Sequence, residues 1–376
     1  MLVQTPPMGF NTWNTFGADI SEELITQTCD AMVEKGYRDA GYSYIVIDDF
    51  WMTSERDENG RLVADPVKFP HGMKYLADYI HARDMKFGIY SCAGTRTCQG
   101  LPSSFGHEFE DARTFAEWGV DFLKYDFCNF PERADATLAY HTMSMALKAT
   151  GREILFSGCT GGMREPWLWM RSIGAHMYRS TQDIGDHFVS IRDIAESQFQ
   201  NLKYSASGCF NDTDMLVVGM YGKGNVGMGS APTDEEYRTH FALWCMMGVP
   251  LIIGGDVRKI DGFCRDLLLN RDLIAIDQDP DCREPFMVGN RGGHRPVLLR
   301  HMADGTLVIG MFNLTDNRSR MPFMFPDAGL PWHSGIGLEL TDVFTGENLG
   351  VKRDDFSPVL DPHTSKIYRA KLVKVQ

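Results

Sequence analysis

The chain has 376 residues, 43% of them hydrophobic and 23% charged, which excludes a disordered or fibrous protein. Thirty-seven basic against 50 acidic residues leave a formal charge of −13, which argues against nucleic acid and anionic membranes and suits a neutral substrate. No run nears the roughly 18 apolar residues of a membrane helix, and the start, MLVQTPPMGF, reads as lacking a signal peptide, so a cytoplasmic location is expected.

Short apolar runs alternate with amphipathic ones up to about residue 280. Met8-Gly9-Phe10 is the first strand candidate. Helical periodicity over 21–35 follows, with Ser21 as its start signal and Gly36 as its stop. Tyr44-Ile45-Val46-Ile47 is a β-branched run that ends in Asp48-Asp49. A helix over about 72–84 precedes the strand Phe87–Tyr90. A helix near 110–118 precedes Val120–Asp126. Further strands are expected at 153–156, at 177–179, on the approach to Asp214, and at 250–253. Eight apolar strands with helices between them mean parallel strands buried on both faces, and eight units in about 280 residues predict a (β/α)8 barrel. A doubly wound sheet would need a glycine-rich turn after its first strand, and Asn14-Thr15-Phe16-Gly17 is not one.

Beyond residue 285 the helical period stops. Val297–Leu299, Leu307–Met311, Leu338–Leu340 and Lys366–Tyr368 read as short strands separated by turns. The chain is therefore divided into a catalytic barrel, 1–285, and a C-terminal antiparallel β-sandwich domain, 286–376.

Barrel chemistry sits at the C-terminal ends of the strands. Four strands run into acids there: Asp48-Asp49, Asp126, Asp183 and Asp212-Thr213-Asp214. Single strand-end aspartates often cap helices, but four on separate strands would repel one another unless a ligand or cations used them. Cations are present. Lys124 lies two residues before Asp126 on the same strand face and is expected to keep it ionised, and Arg179 lies four before Asp183. Trp13, Trp51, Tyr90, Trp167 and Trp169 fall near strand ends. Rings with carboxylates and no phosphate signature point to a sugar site. Gly254-Gly255-Asp256 reads as a tight turn. The nine cysteines form no CxxC pair and the eleven histidines no HxH or HExxH spacing, so no metal site is expected, and the cysteines read as buried thiols.

With these residues in place the sequence resembles glycoside hydrolase family 27, the α-galactosidase and α-N-acetylgalactosaminidase family. The matching segments include MGFNTW (8–13), IDDFW (47–51), GIYSCAG (88–94), TCQG (97–100), FAEWGVDFLKYDFCN (115–129), NDTDML (211–216) and ALWCMMGVPLIIGGDVR (242–258). The resemblance implies a retaining glycosidase that releases terminal α-galactose, without metal or organic cofactor, and it leaves a homo-oligomer open. Asp126 matches the nucleophile and Asp183 the acid/base, whose pKa a neighbouring carboxylate would raise. Asp48 and Asp49 would accept the C4 and C6 hydroxyls, Trp13 and Tyr90 would line the pocket, Lys124 would reach the C3/C4 side, and Arg179 and Asp214 the C2/C3 side. Thr160 occupies the position that contacts the C2 substituent. It is intermediate in size between the residues that select galactose and N-acetylgalactosamine, so α-N-acetylgalactosaminidase is the alternative. Intact Asp48-Asp49 argues against a β-L-arabinopyranosidase. Cys98 and Cys128 match a disulfide of secreted members. A non-catalytic carbohydrate-binding protein would have lost Asp126 or Asp183, and both are present. A metal-dependent sugar-phosphate lyase would need ligand and phosphate clusters that the sequence lacks.

Overall fold

A computed structural model describes residues 2–375 apart from 228 and 290–292. Eight parallel strands alternate with helices over the first 280 residues. They are β1 (Met8–Asn11), β2 (Tyr44–Val46), β3 (Lys86–Cys92), β4 (Phe122–Asp126), β5 (Leu155–Cys159), β6 (Met177–Arg179), β7 (Phe210–Asp212) and β8 (Leu251–Ile253). The helices are α1 (Trp13–Phe16), α2 (Glu22–Glu34), α3 (Gly72–His81), α4 (Glu108–Trp118), α5 (Ala136–Ala149), α6 (Phe188–Gln198), α7 (Asp234–Met247), α8 (Gly262–Leu268) and α9 (Arg271–Asp277). The strand order is β7-β6-β5-β4-β3-β2-β1-β8, with every pairing parallel. The ring closes just past β7, where Leu216 bridges Ile253 and the Leu216 N–H donates to the Ile252 carbonyl at 2.7 Å.

Local chemistry explains the elements. β2 and β8 are short β-branched or aromatic runs with both faces covered, so they lack polar alternation. Ser21 caps α2 by accepting from the Leu24 N–H at 3.2 Å, as its position predicts. Thr233 and Glu236 form a reciprocal capping box that starts α7. Gly254-Gly255-Asp256 forms the turn after β8. A Cβ on Gly254 would stand 2.9 Å from Asn14, and Asp256 is held by Arg258 and Lys259.

The tail is a six-stranded antiparallel sheet with two additional two-stranded ladders. Its central strand Leu307–Asn313 is buried on both faces. Leu307, Ile309 and Met311 join the tail's own core, whereas Val308 and Phe312 join the barrel's. The period-two rule thus divides one strand between two cores. On the barrel side the sheet lies against α7, which is buried all round from Tyr237 to Met247 except for Arg238. A Cβ on Gly310 would stand 3.1 Å from Met246. Among the described residues no helix is long and apolar enough to cross a membrane.

Candidate active site

A cavity of about 270 Å³ opens at the C-terminal ends of the strands. Trp13 follows β1, Asp48 and Asp49 follow β2, Tyr90 lies on β3, and Lys124 and Asp126 end β4. Arg179 ends β6, with Asp183 four residues on, and Asp214 follows β7. All nine border the cavity.

The carboxylates are held by hydrogen bonds before any ligand arrives. Asp48 Oδ2 accepts from Lys124 Nζ at 2.7 Å and Asn11 Nδ2 at 2.8 Å, and its Oδ1 accepts from the Asp49 N–H at 3.0 Å. Asp49 accepts from the N–H groups of Phe50 (2.8 Å) and Gln99 (3.2 Å). Asp214 accepts from those of Met215 and Ile184, both at 2.8 Å. Asp126 Oδ1 accepts from the Phe127 N–H at 2.8 Å and its Oδ2 from Tyr90 Oη at 3.2 Å. Phe50 (φ 73°) and Asp214 (φ 76°) adopt left-handed backbone conformations that non-glycine residues rarely hold, a strain concentrated where the acids are aimed.

Two cations serve six acids. Lys124 pairs directly with Asp48. Burial pushes its pKa down, but the charges of Asp48 and Asp126 outweigh this and leave it above the lysine range. Arg179 hydrogen-bonds Asp183, lies 3.8 Å from Asp214, and donates to the Thr181 carbonyl at 3.1 Å. Burial pushes the Asp49 carboxyl up to about 6. Burial, followed by the neighbouring Asp214, does the same to Asp212. Such a negative wall favours hydroxyl donors and repels anions.

Two expectations need correction. Asp183 does not have a raised pKa: the Arg179 guanidinium holds it below the usual carboxylate range, although burial opposes this. A cation in contact outweighs any more distant carboxylate. Thr160 is 0% exposed, so it cannot touch a ligand in this conformation, and its hydroxyl has no partner. The loop that follows it is close-packed: Gly162 lies on the Ser180 carbonyl, where a Cβ would stand 2.6 Å away. Trp51, near a strand end, lies in the core, the commoner place for a single aromatic, and donates through Nε1 to the Tyr90 carbonyl at 2.8 Å. Cys98 and Cys128 are disulfide-bonded beside Asp126, and the other seven cysteines are buried and free.

The structure adds residues to which the sequence reading gave no role. Asn11 fixes Asp48 and, through Oδ1, accepts from the Trp13 N–H at 2.8 Å, tying two walls together. Asn14, Gln99, Met215, Val226 and the disulfide-bonded Cys98 and Cys128 complete the lining. Asn11 lies in the MGFNTW segment, but only the fold brings it against Asp48.

The family profile described as Alpha galactosidase A matches residues 5–279, about three quarters of the chain. The chain belongs to the α-galactosidase family. A second profile, the α-galactosidase C-terminal β-sandwich domain, matches residues 292–370. An α-galactosidase from Cyamopsis tetragonoloba is 38% identical over 373 residues, covering 98% of this chain and 86% of that protein. An α-N-acetylgalactosaminidase from Gallus gallus is 35% identical over 387 residues, covering 96% and 92%. The crystal structure of α-galactosidase I from Mortierella vinacea superimposes with a TM-score of 0.92 at 33% identity, covering 98% of this chain and 97% of that one. This α-galactosidase family member is thus a glycoside hydrolase, of a family that works with retention of anomeric configuration.

Proposed function

We infer that this enzyme releases terminal α-linked galactose by double displacement, with Asp126 as nucleophile and Asp183 as acid/base. The observation that carries this reading is the convergence of nine side chains from six strands on a cavity the size of one sugar ring. Asp48 and Asp49 accept the C4 and C6 hydroxyls, Lys124 supports the C3/C4 side, and Arg179 and Asp214 the C2/C3 side. Trp13 and Tyr90 pack on the ring. Thr160, enclosed behind the wall, leaves discrimination at C2 to Arg179, Asp214 and their neighbours. The polypeptide is divided into a catalytic part, 1–285, and a tail, 286–376.

In the first step Asp126 attacks the anomeric carbon while Asp183 protonates the departing glycosidic oxygen. In the second, Asp183 takes a proton from water as the water oxygen attacks the anomeric carbon, the glycosyl–Asp126 bond breaks, and both carboxyls are regenerated. Asp183 starts ionised and paired with Arg179. It must therefore gain a proton on binding. A sugar supplies the means, because its hydroxyls engage Arg179 and its ring displaces water from Asp183, and both effects raise the carboxyl pKa.

Asp126→Asn tests the assignment. Turnover of p-nitrophenyl α-galactoside should fall by several orders of magnitude, since an amide does not attack the anomeric carbon. Proton NMR of the wild-type reaction should show α-galactose as the first product. Appreciable activity in the variant, or β-galactose first, refutes the mechanism.

A further inference from the structure

One buried carboxyl beside the site takes no part in the two displacement steps. Asp212 is the last residue of β7, and the parallel register sets it directly beside Arg179, the last residue of β6. Residues in register on neighbouring strands point to the same side of the sheet. Both side chains reach the inside of the barrel, where they border a space of about 30 Å³. Lys124 from β4, Ser157 and Cys159 from β5, and Asp214 border it too. Lys124, Arg179 and Asp214 also border the catalytic cavity, so this smaller space is the floor of the site. It has room for a water molecule.

Asp212 differs from the other acids around the two cations. Asp48 is paired with Lys124, Asp183 with Arg179, and Asp214 lies 3.8 Å from Arg179, but among the described residues Asp212 forms an ion pair with neither cation. Its Oδ1 accepts from the Asp214 N–H at 2.8 Å. The groups that face it are Asp214 from its own segment, Arg179 on β6, Lys124 on β4 and the Cys159 thiol on β5, which burial keeps neutral. Burial and Asp214 favour protonated Asp212, Arg179 and Lys124 oppose this, and the balance leaves it at about 6. Asp183, in contact with the same guanidinium, is held below the carboxylate range. Of the two carboxyls beside Arg179, the one that must donate a proton is therefore the weaker holder of it.

We propose that Asp212 is a positioning residue for the acid/base: it holds a proton while Arg179 pairs with Asp183, and it ionises to become the counter-charge of Arg179 when a bound sugar leaves Asp183 protonated. This rests on the α-galactosidase reading and deepens it. The protons balance. Asp183 takes one from water, Asp212 gives one to water, and the charge of the site is unchanged. A guanidinium facing two carboxyls couples them, because the one that loses the cation binds its proton more tightly and the other less so. When the sugar leaves, the exchange runs backwards and Arg179 returns to Asp183.

The test is the pH dependence of kcat/KM in wild type and Asp212→Asn on two substrates. Melibiose has a glucose leaving group that needs a proton, and α-galactosyl fluoride has one that does not. Their ratio isolates the proton donor, because the titration of Asp49 alters sugar binding in both. In the wild type the melibiose-to-fluoride ratio should fall about tenfold per pH unit above about pH 6, as the coupled pair loses its proton. In Asp212→Asn the fall should begin at least about one unit lower, since no second carboxyl stores the proton or supports protonated Asp183. A loss of packing alone would lower both substrates at every pH and leave the ratio's limb in place. A limb that stays in place in Asp212→Asn, or moves up, overturns the proposal. So does a wild-type ratio that is flat between about pH 5 and pH 8, a measurement that does not depend on the variant folding. Absence of wild-type turnover on both substrates would count against the enzymatic reading instead.

Discussion

Replacing Asp49 by asparagine separates what this carboxylate costs the fold from what it gives the site. Asp49 is 1% exposed, and burial raises its pKa from 3.8 to about 6. A shift of about two units corresponds to about 3 kcal/mol. Because the folded pKa lies above the unfolded one, the folded state binds the proton more tightly. The resulting stability is present below about pH 4 and is lost as pH rises through about 6. An asparagine stays neutral throughout. The variant's gain over wild type should therefore be small at pH 4 and reach about 1–3 kcal/mol at pH 7. The lower bound allows for the amide nitrogen meeting a backbone N–H of Phe50 or Gln99. In a chain of this size that gain is a few degrees in Tm. Thermal unfolding of both proteins at the two pH values is the assay, and taking the difference between them removes any pH-independent repacking. A variant-minus-wild-type difference in Tm that is equal at pH 4 and pH 7, or larger at pH 4, refutes the reasoning. In the same variant kcat/KM at pH 7 should fall by about 10- to 100-fold, because a charged acceptor for a sugar hydroxyl is gone.

Asp183→Ala should cost natural disaccharides about 100-fold or more in kcat and activated aryl galactosides far less, since only the former need a proton donor. Equal losses in parallel assays would remove Asp183 from the role. Thr160→Val should leave the ratio of kcat/KM for aryl α-galactoside and α-N-acetylgalactosaminide within about twofold and raise stability by up to about 1 kcal/mol, because it deletes a buried hydroxyl without a partner. A shifted substrate ratio would mean that the loop opens to bring residue 160 to the sugar.

The barrel was legible because its strands carry their signal locally. Tyr44–Val46 and Leu251–Ile253 are apolar on both faces, and the acids fall where each run stops. The same locality exposed Asp126 and Asp214 as candidates. The electrostatics were less accessible. Lys124 is two residues from Asp126 in sequence, yet its ammonium bonds Asp48, 76 residues away. Arg179 and Asp183 are four residues apart in sequence, but whether they touch depends on how the chain turns between them, and that contact reverses the expected sign of the Asp183 shift. Thr160 illustrates another limit. A motif position carries no direction for its side chain, and the fold encloses this one completely. The small space beneath the site left no trace in composition or spacing, because side chains from opposite sides of the ring build it jointly.

The strand Leu307–Asn313 is shared by two cores, and this has a consequence for how the protein can change. Val308 and Phe312 pack with the barrel's apolar residues, while Leu307, Ile309 and Met311 belong to the tail. The helix beneath, α7, carries Trp244, whose Nε1 donates to the Asp214 carbonyl at 2.9 Å. The tail therefore packs on the helix that holds the backbone of an acid lining the cavity. The tail is not an interchangeable cassette. A substitution on its inner face is also a substitution in the foundations of the active site, so the two halves must accumulate their changes as a matched pair.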